Sequence, residues 1–280
     1  MRFAQIAAAV ALTGATLAAQ GQQSGDRVTV PFSDPSRPGT LKVRLVQGAM
    51  TVRGTNTKEV AIDATGDLRN NQRTSRQPPR ADGLRRLTQP TGLNVEEEAN
   101  VISITARPSD DGRLEIQVPV RTNLQLSLVN GGDIQVEGVE GDLEINNVNG
   151  DVRVTNVSGS VVASSVNGDV VATVRQVTAQ KPMAFTSLNG EVDVTLPASL
   201  KANLKLRSDQ GDVYTDFEVQ TTSPPAVSTA PQGRDRDRDR DSRGKYRLRV
   251  DRSIYGTVNG GGPEIELRTF NGDVFLRKGN

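Results

Sequence analysis

Residues 131–175 read GGDIQVEGV (131–139), EGDLEINNV (140–148), NGDVRVTNV (149–157), SGSVVASSV (158–166) and NGDVVATVR (167–175), so the chain repeats itself every nine residues. Aligned, the units give one apolar column at Ile134, Leu143, Val152, Val161 and Val170, and a second at Val136, Ile145, Val154, Ala163 and Ala172. The two columns are two residues apart and share one face of a strand, while the residue between them faces out. A third column holds Val139, Val148, Val157 and Val166. Gly132, Gly141, Gly150, Gly159 and Gly168 recur before each strand, where a turn exploits their free backbone. A strand of about five residues and a turn of about four make half of a coil of about 18. No unit can bury its apolar face alone, so the reading is a stack: an all-β solenoid, one strand deep at each wall.

The signature returns as Asn189-Gly190-Glu191-Val192, Gln210-Gly211-Asp212-Val213 and Asn271-Gly272-Asp273-Val274, at wider spacing. Upstream, Gly48-Ala49-Met50-Thr51-Val52 is a degenerate unit, and Leu41 to Val46, Val60 to Ala64 and Val101 to Ala106 alternate as strands do. These form a less regular N-terminal β-section of a single elongated domain over residues 21–280. Two stretches interrupt it. Residues 69–92 carry Arg69, Arg73, Arg76, Arg80, Arg85 and Arg86 against one acid, Asp82, and read as an exposed basic loop. Residues 221–244 run through Pro224-Pro225 into an Arg-Asp alternation and read as a low-complexity loop. Strands resume at Tyr246 to Val250 and Ile265 to Leu267.

Composition narrows the chemistry. The chain has 280 residues, no Cys and no His. Disulfides, thiolate zinc sites, Cys nucleophiles and Ser/His/Asp triads are excluded for want of the residue types. A net charge of +1 and 3% aromatic residues argue against a nucleic-acid partner. With no Trp, the core must be thin and built of Val, Ile, Leu and Ala. Met1-Arg2-Phe3, an Ala-rich apolar run to Ala19 and then Gln20-Gly21-Gln22-Gln23 read as a signal peptide over residues 1–20. Cleavage is expected near Ala18 or Ala19. The protein is therefore expected to be exported, periplasmic or at the cell surface, and no later run is long enough to span a membrane.

Repeated Asn-Gly-Asp-Val units, as at Asn149 to Val152 and Asn167 to Val170, behind such a leader resemble the bacterial putative-adhesin, or toastrack, family of envelope β-solenoid proteins. The likeness spans roughly residues 40 to 280 and departs in the Arg-rich and Arg-Asp loops. It implies a right-handed, β-helix-like fold and an envelope setting. The family has no catalytic motif to carry over, so no catalytic, cofactor or metal residue is assigned.

Three readings of the polar residues follow. If two units make one coil, Asp133, Asp151 and Asp169 stack about 4.8 Å apart. Calcium would take such oxygens, yet the Gly-Gly-x-Gly-x-Asp nonapeptide is absent, and turn N–H bonding explains the acids. Glu191, Asp193, Lys205 and Asp212 would be the acid/base set of a carbohydrate-active β-helix lyase or hydrolase. Alternating charges on outward positions are, however, what any solvated sheet face carries. The six arginines of residues 69–92 are the candidate contacts for an anionic envelope glycan or lipid headgroup, because guanidinium forks match carboxylate and phosphate; Glu96-Glu97-Glu98 could pair with them across the surface. The expected function is an adhesin-like or scaffold module that recognises an envelope glycan, lipid headgroup or protein without chemistry and without a cofactor. The alternatives are the β-helix enzyme and an envelope-stress sensor acting in trans.

Overall fold

A computed structural model describes residues 26–65, 93–106, 112–178, 181–222 and 253–279. Within the repeat block the chain winds as a β-solenoid with two strands to the coil. Strand β9 (Ile134–Glu137) lies parallel to the first part of β11 (Val152–Asn167), with Ile134 beside Val152 and Val136 beside Val154. That part in turn lies parallel to β12 (Val170–Val177). On the opposite wall β10 (Glu140–Asn149) runs beside the second part of β11, Leu143 against Val161 and Ile145 against Ala163. The Asp133 and Asp151 turns meet with a separation of 18 residues, so two nine-residue units complete one coil.

The walls extend into two long sheets. The first runs, in spatial order, β5 (Leu93–Glu98), β6 (Val101–Ala106), β2 (Gly39–Leu45), β8 (Thr122–Leu128), β10 and the second part of β11. It continues through β13 (Met183–Asn189), β19 (Glu264–Asn271), β15 (Ala202–Gln210), β18 (Ile254–Val258) and β17 (Gln220–Thr222). The second runs β1 (Asp26–Pro31), β4 (Glu59–Thr65), β7 (Arg113–Pro119), β3 (Ala49–Thr55), β9, the first part of β11 and β12. Beyond it lie β14 (Val192–Pro197), β20 (Val274–Gly279) and β16 (Val213–Thr215).

Spatial order is not chain order at either end. The first coil of the chain, β2 with β3, sits between the β6–β7 coil and the β8–β9 coil. The last coil, β19 with β20, sits between β13–β14 and β15–β16. Outside these the pairing turns antiparallel, β5 on β6 and β4 on β7 at one end, β18 on β15 and β17 on β18 at the other. Parallel coils leave open edges that invite other chains, and returning strands cover them. Phe32 and Phe217, both nearly fully buried, lie at opposite ends of the core.

The first two apolar columns face inward as their period requires: Ile134, Val136, Leu143, Ile145, Val152, Val154, Val161 and Val170 are all at most 2% exposed. The third column splits. Val139 and Val157 are fully buried, but Val148 and Val166 are 37% and 38% exposed. The two corners of a coil differ. After β9 and the first part of β11 the chain turns through Gly138 (φ 67°) and Asn156 (φ 54°), which reverses the alternation and points the next Val inward. Along β10 the alternation runs on unbroken, Leu143, Ile145 and Asn147 facing in, so Val148 must face out.

Residues 1–20, the arginines of 69–92 and the strand expected at Tyr246 to Val250 lie outside the described residues, as does 221–244 beyond Thr222. Thr221 and Thr222, read from the sequence as the start of that loop, close β17 instead.

Candidate functional site

The Asn-Gly-Asp corner is built of three stacked ladders. Innermost, Ser165, Ser187 and Thr269 are buried and each hydroxyl donates to the carbonyl of a turn glycine one coil away, Gly150 (2.9 Å), Gly168 (2.9 Å) and Gly190 (2.7 Å). Asn147 Nδ2 does the same to Gly132 at 3.2 Å, and Ser208 to Gly272 at 2.8 Å. Buried polar groups are retained when they are satisfied in this way. Outermost, the amides of Asn149, Asn167, Asn189 and Asn271 hydrogen-bond coil to coil at 2.6–3.1 Å. Beside them Asp133 Oδ1 accepts the N–H of Asp151, Asp151 Oδ1 that of Asp169, and Asp169 Oδ1 that of Glu191, at 2.8–3.0 Å. Arg153 bridges Asp133 and Asp151 at 2.9 and 2.7 Å. The acids are thus occupied in joining coils, each to the next turn rather than its own, and among the described residues no three carboxylates converge on a cation position.

The opposite corner has a different character. Its turns are short and irregular, and they leave three depressions of about 490, 770 and 630 Å³. The first and second share Pro38 and Arg121, the second and third Gln176 and Val177, so they adjoin as a grooved row along the solenoid. Its walls carry Arg37, Lys58, Arg121, Arg175, Lys181 and Lys201 against two acids, Glu140 and Asp142. Lys181 pairs with Asp142 at 2.7 Å and Arg37 with Asp34 at 2.7 Å. Lys58, Arg121, Arg175 and Lys201 are exposed and make no ion pair among the described residues. A concave track with surplus cation donors is chemically a seat for carboxylate or phosphate groups arranged in a line.

The acid/base set suggested by the sequence is not assembled. Asp193 faces outward on the second sheet, where it accepts from Arg277 Nε at 2.8 Å. Lys205 lies on the first sheet, paired with Glu266 at 3.0 Å, and the hydrogen bond its ammonium donates to Glu266, followed by that residue's charge, holds it above the ordinary lysine value. Glu191 and Asp212 sit at turns on either side of the β20 coil, with Asp212 N–H donating to Asp273. Glu97 is one of the three glutamates read as partners of arginines that lie outside the described residues. It accepts from the Ser33 hydroxyl and from the backbone N–H of Ser33 and Asn100, which hold its carboxyl below the usual range, the Ser33 hydroxyl foremost.

The groove cations were invisible in the sequence because they come from scattered strand ends and turns, with no common spacing. The hydroxyl ladder did leave a signal: Ser165, Ser187 and Thr269 each stand three residues before a turn glycine.

No curated protein matches the chain. It is similar to a crystal structure described as a "putative cell adhesion protein" from Clostridium sporogenes, at 11% identity and a TM-score of 0.44, over 90% of this chain and 99% of that one. A "putative adhesin" from Bacteroides fragilis is similar at 10% identity and a TM-score of 0.25, over 91% and 98% of the two chains. The model of the Toastrack DUF4097 family matches residues 28–238, and the chain belongs to that family.

Proposed function

We propose that the protein is an exported, non-catalytic recognition module of the cell envelope that holds a linear polyanion, a uronic-acid or phosphate polymer, in the groove between Lys58 and Lys201. The observation that carries the reading is the row of adjoining depressions together with the four cations in it that have no acidic partner among the described residues. A straight track lined at intervals by Lys and Arg suits an extended polymer better than a compact ligand, since each subunit of the polymer adds one more contact of the same kind. Absence of chemistry is supported by the separation of Asp193 and Lys205 onto opposite sheets. Export rests on the leader-like residues 1–20.

The test uses protein recovered from the periplasmic or extracellular fraction, whose intact mass then lacks the first 18 to 21 residues. Calorimetric titration with polygalacturonate and with poly(glycerol phosphate) should show binding that weakens as salt rises, with dextran inert. The two polymers distinguish carboxylate from phosphate as the preferred group. Arg121→Glu with Arg175→Glu should lower affinity roughly tenfold or more without moving the melting temperature, because charge reversal at a rim removes steering and charge-assisted bonds. No binding at low salt, an unaffected double variant, or tighter binding to duplex DNA than to either polymer would each overturn the proposal.

A further inference from the structure

The charges that line the row of depressions are unevenly spread along it. The first depression is lined by Arg37, Lys58 and Arg121 and by no acid, and the third by Arg175 and Lys201, again with no acid. Both lining acids, Glu140 and Asp142, belong to the second. They stand on β10, one strand along from Arg121, which is bridged in the sheet to Glu140. Lys181 reaches back from just before β13 and donates to both carboxylate oxygens of Asp142, at 3.0 and 2.7 Å. Glu140 is exposed and makes no ion pair among the described residues. Its charge therefore stands alone in the middle of a cationic row.

We infer that Glu140 determines specificity: it sets the row to take an acidic polysaccharide whose carboxylates are separated by neutral sugars, in preference to one charged at every sugar. The inference rests on the row being the seat of a polyanion. Adjoining strands lie about 4.8 Å apart, and one sugar of an extended chain advances by a similar length. With one carboxylate held at Arg121, a carboxylate on the next sugar meets Glu140. Two unit charges about 5 Å apart in water repel enough to weaken binding about fourfold. A neutral sugar at that place meets no such opposition, and its hydroxyls find Ser158, Gln176 and Thr178 in the same depression.

Beyond that break the cations resume at Arg175 and Lys201. Lys201 precedes β15, which is reached from the strand of Arg121 through β10, β11, β13 and β19, a distance of about 24 Å at about 4.8 Å per pairing. A chain with spaced charges can thus satisfy both ends of the row while a neutral stretch crosses the middle. A row lined by cations throughout would take any polyanion, whereas one uncompensated acid inside it penalises the wrong charge pattern more than it weakens the right one. Asp142 cannot serve in this way, because Lys181 neutralises it.

Calorimetric titration at low salt, where exposed charges are least screened, should compare polygalacturonate with the same polymer carrying methyl esters on about half of its carboxylates at random. Wild type should bind the half-esterified polymer at least as tightly as the fully charged one, although the former carries fewer charges. Glu140→Gln keeps the size of an exposed side chain and removes its charge, so the melting temperature should not move. The variant should bind the fully charged polymer about fourfold more tightly and the half-esterified one nearly as before, which reverses the order of preference. If wild type prefers the fully charged polymer, or if Glu140→Gln strengthens both by the same factor, Glu140 senses only total charge. The inference is then overturned while the polyanion seat stands. If neither polymer binds, the seat itself is refuted and the inference falls with it.

Discussion

Val154 and Val166 lie on the same strand and differ in one respect: Val154 is 1% exposed and Val166 38%. An aspartate at the first site would sit among Val136, Ala172 and the inward side chains of the facing sheet with no cation to meet it. An unpaired charge there costs several kcal/mol, about 3 or more, a large share of the 5–15 kcal/mol that holds an ordinary domain together. At the second site the same change stays within about 0.5 kcal/mol. Val154→Asp should therefore abolish the cooperative thermal transition in circular dichroism while Val166→Asp leaves it in place. Equal behaviour of the two would mean that the register of β11 is wrong. The turn glycines are fixed for a related reason: Gly150 has φ 134°, and a Cβ there would run into the carbonyl oxygen of Gly132 in the neighbouring coil. The turn is thus held by stacking as much as by its own conformation.

At the scale of the element, each Asn-Gly-Asp turn is a rung joined to the next by three kinds of bond, and the acids are the rung most easily mistaken for a metal site. Asp151 and Asp169 use Oδ1 as an acceptor for the next turn's N–H. Asparagine keeps that oxygen and removes the charge. Replacing both with Asn should change stability by about 1 kcal/mol or less per site, the net worth of such bonds plus a half-exposed pair to Arg153. Millimolar calcium should leave the melting temperature of wild type and variant alike. A rise of many degrees in the wild type alone would reveal a bound cation through mass action. Much of this element was legible beforehand: the nine-residue period gave strand, turn and inward columns, because alternation and glycine placement are local properties of the chain. The outward turn of Val148 and Val166 was not legible. It depends on where each corner reverses the alternation: Gly138 and Asn156 take their positive φ directly before Val139 and Val157, whereas the positive-φ glycines of the other corner, Gly150 and Gly168, come two residues after Val148 and Val166.

Over the whole molecule the repeat pattern foretold a stack but not its order. Simple solenoids are nearly one-dimensional, each unit touching its sequence neighbours, so their ends fray. Here the pairing that matters at each end is non-local: β2 waits for residues of β6 and β8, and β19 for β13 and β15. A periodic sequence carries no information about such insertion, since any unit with the right columns can stack on any other. The physical effect is to move the first and last coils off the edges. Leu41, Val43, Met50 and Val52 near the N-terminal side, and Ile265, Leu267, Val274 and Leu276 near the C-terminal side, are all fully or almost fully buried. At about 2 kcal/mol for each buried aliphatic side chain, either group contributes about 8 kcal/mol of gross apolar stabilisation, comparable to the net stability of a domain. Losing either coil should therefore unfold its neighbours with it. Native-state hydrogen exchange should accordingly find the amides of residues 39–55 and 264–279 protected to the level of the central strand β11, with the fast-exchanging segments being the antiparallel cover strands β1, β5 and β17. Exchange that instead quickens steadily toward the two chain termini would show that the inserted coils open on their own, as the ends of a simple stack do.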